Sequence, residues 1–453
     1  MRIAYIAAGA AGMYCGSCLH DNTLAAALLE LGEDVVLVPT YTPLRTDETN
    51  VSIRRVFFGG INVYLQQKLS IFRRTPWWMD RLLDHPALLD RATRGAGSVD
   101  PQQLGDMTVS MLRGEAGHQR KELEKLVHWL LTEMKPDIVH LSNSMQLGMA
   151  RMLRARCGPP VVCQLSGEDL FLEKLPPPYY DQARRLLRER AADADAFVAI
   201  NRYYADFMAE YLAVDRARVH VIPHGLNLNG HAAPQPPAPP GVSASASPSP
   251  HKERRPDELR VVGFLARICQ DKGLHLLVEA CEQLAARGDV PPFLVRAAGY
   301  LGESDKPYLA AIESRVAAGP LAGRFQYVGE LDRAQKIAFL QSLDMLSVPT
   351  VYRESKGLPA LEAMANAVPV VLPDHGSFSE MVADTGGGLL HRPHDPADLT
   401  ARIAELLLDP PRAAQLGLAG QQAIYDRYHA EKMARQTVEL YRDLLSKPQQ
   451  CEI

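Results

Sequence analysis

Residues Tyr352–Pro369 read YRESKGLPALEAMANAVP, and this stretch decides the fold of the second half of the chain. A short apolar run lies on each side of it, MLSVPT at 345–350 and VPVVLPD at 368–374. Between them Pro359 suits the first position of a helix, where its missing N–H costs nothing. A strand, a helix and a second buried strand make a βαβ unit with parallel strands. The pattern continues outward. LRVVGFLA (259–266), FLVRAAG (293–299) and FQYVGEL (325–331) read as further strands, separated by the helices GLHLLVEACEQLAARG and DRAQKIAFLQSL. The first half alternates in the same way. Arg2–Ala8, Val35–Pro39, DIVHLS (137–142), VVCQLS (161–166), AFVAI (196–200) and VHVIPHG (219–225) are strand-like. LHDNTLAAALLELG places Leu24, Ala27, Leu28 and Leu31 on one helical face, and KELEKLVHWLLTEM is a second helix. Near-continuous apolar strands alternating with helices imply parallel sheets covered on both faces. The expected fold class is α/β, with two Rossmann-like, doubly wound parallel-sheet domains facing a central cleft.

Residues 231–256 divide the halves: eight of the 26 are proline, and Val242 is the single large aliphatic. Such a stretch cannot bury enough surface to offset its ordering entropy, so an exposed linker is expected. The expected organisation is a first domain at 1–228, a linker at 229–257 and a second domain at 258–428. A final amphipathic helix over 429–453 follows, with Met433, Leu440, Tyr441 and Leu444 on one face.

The loop and helix start at 354–362 carry the clearest chemistry. Free N–H groups near Gly357 and Leu358, together with the helix dipole, suit a diphosphate. Glu354 precedes the helix and Glu362 lies in its first turn, where carboxylates can accept sugar or ribose hydroxyls. Upstream, Arg267 and Lys272 follow a strand, a position from which two cations neutralise a departing diphosphate. The turn Gly9–Gly16, GAAGMYCG, lets backbone approach a ligand closely. It is not G-x-G-x-x-G, and the next strand ends in Pro39-Thr40 instead of an acidic residue, which disfavours a nicotinamide cofactor. A G-x-x-x-x-G-K-[ST] loop, H-E-x-x-H and G-x-S-x-G are all missing from the sequence.

The 453 residues carry 47% hydrophobic and 23% charged side chains and a net charge of -4. That composition is globular and gives no support to nucleic acid as a partner. No run of 18 apolar residues occurs, and seven scattered cysteines suit a reducing compartment. A cytoplasmic protein is expected. The Cys15/Cys18 pair has no second pair at metal spacing, so no metal site is expected.

In combination these motifs resemble the family 4 glycosyltransferases of the GT-B fold. The resemblance rests on Glu354…Glu362 (E-x7-E), Gly263…Arg267…Lys272-Gly273, Val221-Ile-Pro-His-Gly225 and the glycine turn at 9–16, with Asp137–Leu141 and Leu165–Asp169 as comparable strands. It implies transfer of a hexose-type sugar from a nucleoside-diphosphate sugar, UDP- or GDP-linked, with retained anomeric configuration. It also implies that no cofactor and no obligatory metal are needed. Carried over residue by residue, Arg267 and Lys272 would bind the diphosphate, Glu354 the transferred sugar and Glu362 the ribose. Gly357 and Leu358 would offer N–H groups, Glu330 and Leu331 would lie near the base, and Gly12 would approach the diphosphate. Glu354, Arg267 and Lys272 form the catalytic set.

One departure stands out. Where the family often has histidine after the strand at 161–166, this chain has Ser166, followed by Gly167, Glu168 and Asp169. A serine can donate a hydrogen bond but cannot act as the same charged group. Ser166, Asp169 and His140 are the acceptor-side candidates, with His224 a second nearby imidazole, and for each histidine a structural place in the core is the favoured reading. The acceptor is expected to be a carbohydrate or a lipid-linked sugar. Residues 57–90 combine Phe72, Trp77 and Trp78 with Arg73, Arg74 and Arg81. They suit stacking on a sugar, peripheral contact with an anionic membrane, or packing on their own domain. Two alternatives are a GT-B glycan synthase or phosphorylase, and a non-catalytic sugar-nucleotide-binding protein.

Overall fold

The computed structural model describes residues 1–9, 16–73, 75, 101–234 and 259–447. The chain forms two compact units, one of Met1–Gly225 with Ala430–Ile453 and one of Leu226–His429. Gly12, Cys15, Arg74, Trp77, Trp78, Arg81 and most of the proline-rich stretch lie outside the described residues.

The strands of the first unit are β1 (Arg2–Ala8), β2 (Asp34–Thr40), β3 (Ile138–Leu141), β4 (Val161–Gln164), β5 (Ala196–Ala199) and β6 (Val219–Val221). They form one parallel sheet in the order β2-β1-β3-β4-β5-β6. Side chains alternate across it. Ala4, Ile6, Val139, Leu141, Val161, Cys163 and Phe197 enter one core. Ile3, Tyr5, Ile138, Val162, Ala196 and Val198 enter the other. Helices Gly16–Glu30 and Ala430–Ser446 cover that second face and pack on each other. Helix Gly16–Glu30 is therefore enclosed from two sides. It buries His20, Asp21, Asn22 and Thr23 as well as Leu24, Ala27 and Leu28.

The second unit contains β7 (Arg260–Leu265), β8 (Phe293–Ala298), β9 (Phe325–Tyr327), β10 (Met345–Ser347), β11 (Val370–Pro373) and β12 (Gly388–His391). All pair in parallel, in the order β12-β11-β10-β7-β8-β9. The order reverses between β7 and β10, and ligands in such sheets bind beyond the carboxyl ends of the strands at the reversal. The helix Leu274–Arg287 and the helix Arg333–Gln341 lie where the apolar spacing puts them; the latter opens with an Asp332/Gln335 capping box.

Two expectations change. Leu358, not Pro359, is the first helical residue of Leu358–Ala365, so Glu362 starts the second turn. His231, at the head of the proline-rich stretch, is buried and not exposed. Its Nδ1 meets the Asn366 amide at 2.8 Å, and the Ala232 carbonyl accepts from Gln421 (2.8 Å) and Tyr425 (3.0 Å).

Candidate functional site

The loops that follow β7, β10 and β11 are stitched together by backbone. Val351 N–H donates to Asp271 O at 3.0 Å, and Ser377 N–H donates to Glu354 O at 2.8 Å. Gly273 (φ +78°) makes the first approach feasible, because a Cβ there would lie 1.9 Å from Pro349 O. Gly376 (φ +62°) does the same beside Glu354, whose carbonyl oxygen would be 2.5 Å from an added Cβ. The loops after β8 and β9 join them through Ile268 N–H to Tyr300 O and Gly299 N–H to Gly329 O, both 2.9 Å.

This junction brings Lys272 and Glu354 together, 82 residues apart in sequence and 2.7 Å apart in space. Glu354 is 8% exposed. Its Oε1 accepts from the N–H groups of Ser355 (3.1 Å) and Lys356 (3.2 Å). Its Oε2 accepts from Lys272 and from the Tyr352 hydroxyl at 2.8 Å. Lys272 also donates to the Tyr352 oxygen. Burial works to raise the carboxyl pKa of Glu354; Lys272 and the hydrogen-bond donors outweigh it and hold it at about 2. Burial opposes the charge on Lys272 as well, and again the facing carboxylate wins and raises its pKa. Both groups are therefore charged at neutral pH. Burial first, then the Glu354 charge, pushes the Tyr352 phenol upward, so it stays protonated.

Arg267 is exposed, and its Nε donates to Cys269 Sγ at 3.3 Å. Among the described residues no protein hydrogen bond engages its two terminal nitrogens, nor the N–H groups of Gly357 and Leu358 at the helix start. Four donor nitrogens of this kind at one switch point, two on Arg267 and two in the backbone, suit an oxygen-rich anion. Glu330 is exposed and Leu331 half-buried, in the loop after β9. Glu362 is paired with a different cation from Glu354. It is 6% exposed and its Oε1 meets Lys336 Nζ at 2.5 Å.

The first unit presents Ser166 and Asp169 beyond the carboxyl end of β4. Ser166 Oγ gives its proton to Ser142 O (3.1 Å), so it offers acceptor lone pairs where the sequence suggested a donor. Glu168 ties the ends of β3 and β4, accepting from Ser144 N–H (2.9 Å) and Ser166 N–H (2.7 Å). Asp169 accepts from Tyr204 OH at 2.6 Å, and burial raises its pKa. His140 is turned into the core. It is fully buried, stacks on Tyr5 (4.4 Å between ring centroids) and shares a 2.5 Å hydrogen bond with Tyr441. Burial drives its pKa down to about 3, so it is a neutral core residue without solvent contact. His224 is buried too, with its ring 5.0 Å from that of His20.

Sequence reasoning missed Tyr352, Lys336 and Glu168. Tyr352 had a readable signal, since residues two apart in non-helical chain project to the same side. Lys336 had none, because an amphipathic helix gives no reason to bury a lysine.

Two family models match the chain. The model of glycosyl transferases group 1 covers residues 247–423, and that of glycosyltransferase family 4 covers residues 105–229. This chain belongs to glycosyltransferase family 4. Among curated relatives of the family, the alpha-maltose-1-phosphate synthase of Mycolicibacterium smegmatis is 34% identical over 55% of this chain and 63% of its own length. A D-inositol 3-phosphate glycosyltransferase of Xylanimonas cellulosilytica is 27% identical over 75% of this chain and 77% of its own. The fold is that of solved GT-B glycosyltransferases. The sucrose-phosphate synthase of Thermosynechococcus elongatus aligns over 98% of this chain and 99% of its own, with a TM-score of 0.69 at 19% identity. Anabaena HepE, solved with UDP and glucose, aligns over 98% and 100% with a TM-score of 0.65 at 16% identity. Among the described residues of this family member, no helix is long and apolar enough to cross a membrane.

Proposed function

We propose that the chain moves a hexose-type sugar from a nucleoside-diphosphate sugar to an acceptor hydroxyl, with retained anomeric configuration. One observation carries the reading: an ionised Lys272–Glu354 pair beside a helix start with open N–H groups, at the point where the second sheet reverses its strand order. Arg267 and Lys272 hold the diphosphate together with Gly357 and Leu358. Glu354 takes a hydroxyl of the transferred sugar, Glu362 takes the ribose, and Glu330 and Leu331 flank the base. As the bond from the anomeric carbon to the phosphate oxygen breaks, negative charge grows on the diphosphate and the cations stabilise it without a metal. The acceptor oxygen bonds to the same face of that carbon, and its proton passes to the departing phosphate. Ser166 and Asp169 serve the acceptor, a carbohydrate or lipid-linked sugar.

The donor is uridine- or guanosine-linked. UDP and GDP sugars are compared by thermal shift, since a ligand binding only the folded protein raises its melting temperature. One donor is expected to raise it by several degrees, with release of free nucleoside diphosphate once an acceptor pool is added. Lys272→Ala and Glu354→Ala should lower that release at least 100-fold; unchanged turnover in both would remove these residues from the mechanism. Turnover in excess EDTA should match turnover without it.

A further inference from the structure

The Glu354 carboxylate has no vacancy. A carboxylate offers about four lone-pair sites. In this structure Ser355 N–H and Lys356 N–H take two on Oε1, and Lys272 and Tyr352 take two on Oε2. A sugar hydroxyl can reach Glu354 only by displacing one of the four. The two backbone donors adjoin Glu354 in sequence, and the Glu354 carbonyl is fixed by Ser377 N–H. Moving Lys272 away would separate a buried carboxylate from its counter-charge, which is far costlier than breaking a neutral hydrogen bond. Tyr352 is the neutral side-chain donor of the set, half-buried and next to the exposed Arg353. Its oxygen keeps a partner after release, because Lys272 donates to it.

Resting on the donor reading above, we propose that the Tyr352 hydroxyl occupies, in the free protein, the place on Glu354 Oε2 that a hydroxyl of the donor sugar takes in the complex. Tyr352 thereby acts as a specificity residue. It keeps Glu354 satisfied when a nucleoside diphosphate without sugar is bound. It also sets a threshold that a donor passes only with a hydroxyl at the matching position.

The full chain is titrated calorimetrically with UDP and with UDP-glucose, or with GDP and GDP-mannose where the donor screen selects guanosine. Tyr352→Phe is expected to tighten the nucleotide-sugar by about 3- to 10-fold relative to the free nucleoside diphosphate, since a water on Oε2 is easier to displace than the tethered phenol. Tyr352→Leu, which also removes the ring, should move the ratio in the same sense, so misfolding of one variant leaves the other as the test. An equal change for both ligands, as a purely structural role would give, overturns the inference alone. So does a loss confined to the nucleotide-sugar. Wild-type protein that binds neither pair overturns the donor reading and this inference with it.

Discussion

Lys272 and Glu354 are each other's counter-charge, and the pH at which they part follows from their environment. Glu354 titrates at about 2 in the folded protein, against an ordinary value of 4.5. A depressed folded value means stability that is complete above the ordinary range and fades as pH falls through the folded value. The pair should therefore be intact from mildly acidic to alkaline pH. Glu354→Gln leaves the Lys272 ammonium with only Tyr352 and a neutral amide, and should cost roughly 3–5 kcal/mol at pH 7. The deficit relative to wild type should shrink as pH drops from 4.5 towards 2. Urea unfolding at a series of pH values reads this directly; a deficit that stayed constant down to pH 2 would mean that the pair contributes nothing through its charge.

At the level of elements, the Lys336–Glu362 pair joins the helix Arg333–Gln341 to the helix Leu358–Ala365. A buried ion pair is often matched in stability by apolar residues of similar volume. Lys336→Met together with Glu362→Leu is thus expected to keep the melting temperature within a few degrees. If Glu362 takes the ribose, the same double variant should bind the nucleoside diphosphate at least 10-fold more weakly, measured by calorimetry. Retained affinity would reduce the pair to a helix-to-helix strut. The sequence showed the helices here but not the pair, and the reason is general. Periodicity reports which face is apolar, so strands β1 to β11 were legible as apolar runs. β12 was not: Gly386, Gly387 and Gly388 read as a turn, and Leu389 and Leu390 are too short a run and only half-buried at the sheet edge. The motif residues Arg267, Lys272 and Glu354 were legible by type and spacing. The Lys272–Glu354–Tyr352 triangle was not, because two loops from distant stretches of the sequence assemble it. His140 carried two readings, a core histidine and an acceptor-side imidazole, and the structure bears out the first. A polar residue in a strand admits both, and the packing of Tyr441, from the far end of the chain, decides between them.

At the scale of the molecule, the first unit is not closed until the last helix is added. Helix Ala430–Ser446 places Met433, Ala434, Val438, Leu440 and Tyr441 in the same core as Ile3, Tyr5, Leu24 and Leu28. Met433 Sδ also receives the Gly225 N–H at 3.2 Å, where the chain leaves that unit. The second unit, Leu226–His429, has its own sheet and its own core, and the Lys272–Glu354 pair lies wholly inside it. Ending the chain after His429 should therefore act on one unit and spare the other. Loss of one large buried side chain costs about 2–5 kcal/mol, and the truncation removes several, more than the net stability of an ordinary domain. Calorimetry is expected to show the first unit's transition lost while the second unit's persists, and the second unit's transition should still rise with the nucleoside diphosphate. Loss of both transitions would mean that the second unit depends on the first to fold. Survival of both would mean that Ile3, Tyr5, Leu24 and Leu28 stay buried without the helix that covers them.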